Sequence, residues 1–104
     1  MTRQTSLETA LRRLAPALPA HEFAVVVDHA CGSPALKRAT PEEAAWLSLV
    51  AYIRHRMTDY DELLADHYDV DSARYFVADD MREFLRDWGV RRALAPDGGD
   101  GGGA

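Results

Sequence analysis

The sequence predicts an all-α fold, a compact orthogonal bundle of about five helices followed by a disordered, glycine-rich C-terminal tail. Apolar residues recur at helical spacing along most of the chain, and Ser, Thr and Asp stand at helix-start positions before them. A single segment has a strand-like composition, and no second strand is present to pair with it. The 104 residues, 47% of them hydrophobic, suffice for one domain, expected over residues 6–94, with the tail over 95–104.

The first helix is predicted to begin at Ser6, a residue type that caps helix N-termini. Glu8 would then lie in the first turn, where the helix dipole favours an acid. Residues 1–5 are expected to be frayed, and Pro16 ends the helix. The apolar stripe consists of Leu7, Leu11 and Leu14.

Residues 20–30 are ambiguous between helix and strand. Residues 23–27 are apolar and partly β-branched, which favours a strand. A lone strand, however, would leave its backbone groups unpaired. Apolar residues also fall at helical spacing here, and we therefore expect a helix that stops near Gly32 and Pro34. These spaced positions are Phe23, Val26, Val27 and Ala30.

The central helix is predicted from Thr40 to about Met57. Thr40 is the N-cap, Pro41 occupies the first position and Glu43 completes a capping box. Its apolar arc exceeds half of the circumference, which is typical of a helix at the centre of a domain. The arc contains Trp46, Leu47, Leu49, Val50, Tyr52, Ile53 and Met57.

Two further helices are predicted after the central one. Thr58 and Asp61 repeat the capping pattern ahead of a short helix at about 59–66. Either Asp69 or Asp71 caps the last helix, about 72–88. Gly89 then supplies the left-handed residue that ends many helices. The core face of the last helix is Ala73, Val77, Met81, Phe84, Leu85 and Trp88.

Charge and composition exclude several classes of protein. Residues 1–58 hold 7 basic and 5 acidic residues, whereas residues 59–104 hold 5 basic and 12 acidic residues. This acidic half argues against nonspecific wrapping of nucleic acid, which requires neutralised phosphates. Cys31 is the single cysteine, so neither an internal disulfide nor a multi-thiolate zinc site can form. No membrane span or export signal is seen, and a cytoplasmic location is expected.

A distinctive set of residues lies between residue 29 and about residue 88. Its most specific part is the string Arg-His-x-x-Thr-x-Tyr-Asp at residues 54–61. The full set is His29, Gly32-Ser33, Arg38, Pro41-Glu42-Glu43-Ala44-Ala45, Ala51-Tyr52-Ile53-Arg54-His55-Arg56-Met57-Thr58-Asp59-Tyr60-Asp61 and Ala73-Arg74. With these residues the stretch resembles a bacterial family called domain of unknown function 2293. The resemblance implies a helical fold and no activity, because the family has none assigned.

Two arginines are predicted to face inward. At about 100° per residue, Arg54 falls inside the apolar arc of the central helix, and Arg74 falls on the core side of the last helix. A buried guanidinium is costly unless it is paired. We therefore expect an internal ion pair with Asp59 or Asp61, snorkelling at the rim of the arc, or binding of an anion.

The remaining polar residues carry weaker signals. Asp59 and Asp61 form a potential catalytic or metal-binding carboxylate pair but are better explained as helix-capping acids. No two histidines have the i, i+4 spacing of a helical zinc site. Cys31 is interpreted as a small buried hydrophobe. Neither a metal nor a cofactor is predicted. The histidines are His21, His29, His55 and His67.

Three functional hypotheses follow. The first is a non-catalytic interaction module, with an unknown protein partner or a second copy, organised by an internal polar cluster. The second is binding of nucleic acid or a phosphate ligand by a basic patch around Lys37, Arg38 and Arg54. The third and weakest is an enzyme that uses Cys31 with a histidine base. The polar cluster comprises Arg54, His55, Asp59, Tyr60, Asp61 and Arg74.

Overall fold

The structure, a computed structural model, describes residues 2–95, which form five α-helices, one turn of 3-10 helix and no strand. The all-α prediction is therefore confirmed, and residues 20–30 belong to a helix. From residue 96 onward, the predicted tail lies outside the described residues. The helices are α1 (Arg3–Leu14), α2 (Ala20–Gly32), α3 (Pro41–Arg56), α4 (Tyr60–Ala65) and α5 (Val70–Asp87), and the 3-10 turn is Pro34–Leu36.

Helix α3 lies at the centre of the domain. It packs against all four other helices, α1, α2, α4 and α5. Trp46, Leu49 and Ile53 of α3 are completely buried, which agrees with the wide apolar arc of this helix. Helices α1, α2 and α3 meet at a second buried cluster, which consists of Leu7, Ala30 and Ala44. The two alanines allow α2 and α3 to approach closely there.

The N-terminal helix begins earlier than the sequence predicts. Thr2, rather than Ser6, is the N-cap, and its hydroxyl accepts a hydrogen bond from the Thr5 N–H at 3.1 Å. Both residue types are good caps, so the local pattern alone does not choose between them. As a result, Glu8 is not in the first turn, and residues 3–5 are helical.

Of the two caps predicted for the last helix, Asp69 is the one observed, and the helix begins at Val70, two residues earlier than predicted. Asp69 accepts a hydrogen bond from the Ser72 N–H at 2.7 Å, and this bond lowers the pKa of the Asp69 carboxyl. At the other end, Gly89 has a φ of 79°. The Val90 N–H donates to the Leu85 carbonyl at 2.9 Å, which is the Schellman arrangement.

Helix α4 ends in the same arrangement but without glycine. His67 has a φ of 72°, and the Tyr68 N–H donates to the Leu63 carbonyl at 3.1 Å. A left-handed conformation is costly for a residue with a Cβ atom. The turn between α4 and α5 therefore has a strained backbone at His67. Among residues 2–95, no helix is long and apolar enough to cross a membrane.

Candidate functional site

The junction between α3 and α4 contains the inward-facing Arg54. Its side chain is buried as predicted, with the residue 5% exposed. The guanidinium carbon lies 5.7 Å from the centroid of the Tyr60 ring, within cation–π range. The Thr58 hydroxyl donates to the Arg54 carbonyl and accepts from the Tyr60 N–H. These contacts fix how the chain turns from one helix into the next.

Asp61 meets His55 rather than capping α4. Its Oδ1 atom lies 2.7 Å from His55 Nδ1, and the His55 ring packs edge-on against Tyr60 at 5.2 Å. The capping-box prediction for Asp61 is wrong because α4 starts one residue later than that pattern requires, with Asp59 as the N-cap residue. The shift places the Asp61 carboxylate within reach of the imidazole at the end of α3.

The other two members of the predicted polar cluster are placed differently. Asp59 is exposed, and no side-chain capping bond forms there. Arg74 is half-buried on α5, and its buried Nε has no hydrogen-bond partner within residues 2–95. The described contacts therefore link Arg54, His55 and Asp61 through Tyr60, and none of these contacts includes Arg74.

A cleft of about 350 Å³ lies between α2 and α3, and we call it the α2–α3 cleft. Ser48 lies in its lining with only 1% of the residue exposed, and its Oγ has no hydrogen-bond partner among residues 2–95. The cleft brings together two of the histidines considered for chemistry. Its polar lining residues are Asp28, His29, Ser48, Tyr52, His55 and Arg56.

Cys31 is exposed, so the prediction of a small buried hydrophobe is wrong. It lies near the end of α2 and lines a separate cleft together with Arg12 and Phe23, whereas His29 and His55 line the α2–α3 cleft. The structure therefore places the cysteine and these two imidazoles in different clefts. Across residues 2–95, no group of three or more potential ligands could hold a metal ion.

The basic residues of the second hypothesis are also separated. Lys37 and Arg38 are exposed on the loop between α2 and α3. Arg3 supports this loop, because its Nη2 donates to the Leu36 carbonyl at 2.7 Å. Arg54 is buried at the α3–α4 junction and therefore does not extend an exposed basic patch around the loop.

One surface that the sequence reasoning missed is apolar and exposed. The large hydrophobic residues that are exposed within 2–95 all fall between residues 68 and 76. Phe76 is 58% and Tyr75 68% exposed. The Phe76 ring meets the Tyr68 ring at 5.6 Å and the Tyr75 ring at 6.1 Å, both near edge-to-face. We define the aromatic surface as Tyr68, Val70, Tyr75 and Phe76.

The aromatic surface lies in the most acidic part of the chain. Residues 59–80 contain eight acidic residues and one basic residue, Arg74. Asp79 lies one helical turn from both Tyr75 and Phe76, and Asp80 lies one turn from Phe76. In the sequence, the aromatic surface is marked by two adjacent aromatic residues on the polar side of an amphipathic helix. This local pattern does not show whether another part of the chain covers the two side chains.

The fold and these sites together define a small, all-helical domain with an exposed aromatic surface and a polar cleft. A family model matches residues 10–89, and the chain belongs to the family of uncharacterised conserved proteins designated DUF2293. The family was the one expected from residues 29–88, and the match extends further toward the N-terminus. No curated protein and no solved structure matched the chain.

Proposed function

We propose that this protein is a non-catalytic interaction module whose aromatic surface binds a cationic segment of another protein. The observation that carries the proposal is the exposure of Tyr75 and Phe76, at 68% and 58%. Aromatic residues supply much of the binding energy at protein interfaces when they are desolvated. Grouped apolar side chains that are left exposed are a recognised sign of an interaction site.

The shape of the surface supports this role. Tyr68 comes from the turn before α5, and Tyr75 and Phe76 come from α5 itself. The aromatic rings contact each other, which restricts their motion before a partner arrives. A cavity of about 390 Å³ lies beside Tyr75 and Phe76 and offers room for an apolar side chain. Asp79 and Arg82 also line it and form a salt bridge at 2.9 Å, so the negative charge next to Phe76 comes from Asp80.

Charge determines the kind of partner. The surface lies within a segment of eight acidic residues and one basic residue, and opposite charge favours both encounter and register. A symmetric dimer through this surface would bring acidic residues from two copies together. A different protein with basic residues around an apolar side chain fits the surface better than a second copy does.

The test uses a synthetic amphipathic peptide of leucine and lysine as the probe. We expect it to bind the full chain and to be displaced by salt, because surface charges are screened. The variant Tyr75→Ser/Phe76→Ser should weaken binding by at least about tenfold, since both anchors are lost. A peptide of leucine and glutamate is the matched probe and is expected not to bind.

The charge requirement has its own matched pair of variants. Asp80→Asn removes a charge one turn from Phe76, whereas Asp87→Asn removes one at the far end of α5. The first should weaken peptide binding and the second should leave it unchanged. Equal binding of the leucine–lysine peptide by wild type and by Tyr75→Ser/Phe76→Ser would overturn the proposal. A concentration-dependent mass that this variant abolishes would indicate self-association instead.

A further inference from the structure

We propose that the α2–α3 cleft binds a small anionic ligand, a molecule that carries a phosphate or a carboxylate group. The cleft shares no residue with the aromatic surface, and the inference does not depend on the proposed function. A volume of about 350 Å³ lies at the small end of the range for ligand sites, about 300–1,000 Å³. The ligand is therefore a small molecule.

Ser48 gives the strongest indication of a ligand. The residue is 1% exposed, yet its hydroxyl has no hydrogen-bond partner within residues 2–95. Serine within a helix often donates to the carbonyl four residues before it, but Ser48 makes no such bond. Buried polar atoms without partners are uncommon and call for an explanation. A ligand oxygen in the cleft would accept a hydrogen bond from this hydroxyl.

The walls of the cleft provide positive charge and hydrogen-bond donors. Arg56 lines the cleft from the C-terminal end of α3, and its planar guanidinium suits a phosphate or a carboxylate. His55 has its Nδ1 engaged by Asp61 at 2.7 Å, so Nε2 is the nitrogen that remains for a ligand. His29 lines the cleft from α2. Donors therefore come from both helices.

Asp28 is the one acidic residue among those lining the cleft. It is exposed and also lines the neighbouring cleft, where Arg12 is found. Its charge opposes an anion and would instead attract a cationic or zwitterionic ligand. Replacing Asp28 with a neutral residue should therefore strengthen the binding of an anion and weaken the binding of a cationic or zwitterionic ligand.

The experiment measures thermal melting of the full chain with inorganic phosphate and, separately, with acetate, at constant ionic strength. At least one anion should raise the melting temperature, since a ligand that binds only the folded state stabilises it. The anion with the larger effect identifies the ligand group. Arg56→Gln should weaken the apparent affinity by at least about tenfold. Arg38→Gln, the matched change on the exposed loop, should leave it unchanged.

Two further variants keep the test independent of folding defects. Ser48→Ala removes an unpartnered buried hydroxyl, so it should melt higher than wild type without anion and respond less to the anion. Asp28→Asn should increase the response. The proposal is overturned if neither anion shifts wild type, if Arg56→Gln and Ser48→Ala both keep the full shift, or if Asp28→Asn reduces it.

Discussion

The C-terminal end of α5 and the turn between α4 and α5 use the same backbone arrangement in different surroundings. At the end of α5, the left-handed residue is Gly89, and the Ala17 N–H donates to the Trp88 carbonyl at 3.0 Å. Between α4 and α5, the left-handed residue is His67, and exposed aromatic rings follow it. The first region has glycine at the left-handed position, where it is unstrained. The second region has a residue with a Cβ atom at that position and leaves large apolar side chains exposed.

Apart from Ser48 in the α2–α3 cleft, the departures described above lie between residues 67 and 76. His67 occupies a conformation that glycine prefers, Arg74 buries an unpartnered Nε, and Tyr75 and Phe76 are exposed. Positions that violate local rules are expected to be functional or strained sites. The contrast between the end of α5 and the α4–α5 region therefore supports the proposal that the α4–α5 region binds a partner.

The largest expected change in the free energy of unfolding is at the C-terminal end of α5. Gly89→Ala should lower the free energy of unfolding by about 2 kcal/mol, because an L residue is strained at this φ. The new Cβ atom would also lie 3.1 Å from Pro16 Cγ. Urea denaturation measures the change. Gly32→Ala is the matched control, since a Cβ atom there meets nothing within 4 Å, and it should not destabilise.

Arg74→Met should change the free energy of unfolding by no more than about 1 kcal/mol, because methionine keeps the apolar stem and removes the unpartnered Nε. Arg54→Met is the comparison variant. Arg54 is buried over Tyr60, and its replacement should cost more. A loss of several kcal/mol for Arg74→Met would mean that this guanidinium meets an acid, and it would restore the original cluster of six residues.

His67→Gly should stabilise the protein by about 0.5 kcal/mol. Relief of the left-handed strain exceeds the extra entropy that glycine gives the unfolded chain. His21→Gly, at an exposed position in the first turn of α2, should destabilise instead, because glycine is a poor helix former. If His67→Gly destabilised as much as His21→Gly, the α4–α5 turn would not be strained.

The double variant Tyr75→Ser/Phe76→Ser should change the free energy of unfolding by less than about 1 kcal/mol, because exposed side chains contribute little to stability. The midpoint and slope of a urea transition are the measurement. A large loss of stability would place both rings in the folding core and would remove the reason to regard them as binding residues.

The smallest effect is a pH dependence at the N-terminus of α5. The hydrogen bond from the Ser72 N–H holds the pKa of Asp69 below its ordinary value of 3.8. The capping contribution is therefore complete above that value and is lost as the pH falls through the lower, folded-state pKa. Asp69→Asn keeps a cap but should lose this acid-range dependence. Asp71→Asn, a non-capping control, should retain it.

The sequence contained enough information for the helices but not for the contacts of their polar residues. The wide apolar arc of α3 placed Arg54 inside, where the structure has it. The partner of Asp61 was not predictable, because α4 begins one residue later than the Thr58 pattern suggests. That shift decides whether the carboxylate caps a helix or meets His55.

The two candidate sites depend on how separate helices come together. Ser48 belongs to a face of small residues that suits close helix packing, and only the position of α2 reveals that a cleft remains above it. Tyr75 and Phe76 follow a helical pattern whether or not another element covers them. Their exposure depends on tertiary structure, which local periodicity does not encode.

The proposed cationic partner binds the aromatic surface, which lies within residues 68–76. The most direct measurement is a ¹⁵N-resolved NMR titration of the full chain with the leucine–lysine peptide. We expect the largest amide shifts to fall between residues 66 and 82, and we expect them to be absent from Tyr75→Ser/Phe76→Ser. Shifts centred on residues 33–39, or spread evenly over the molecule, would contradict the proposal.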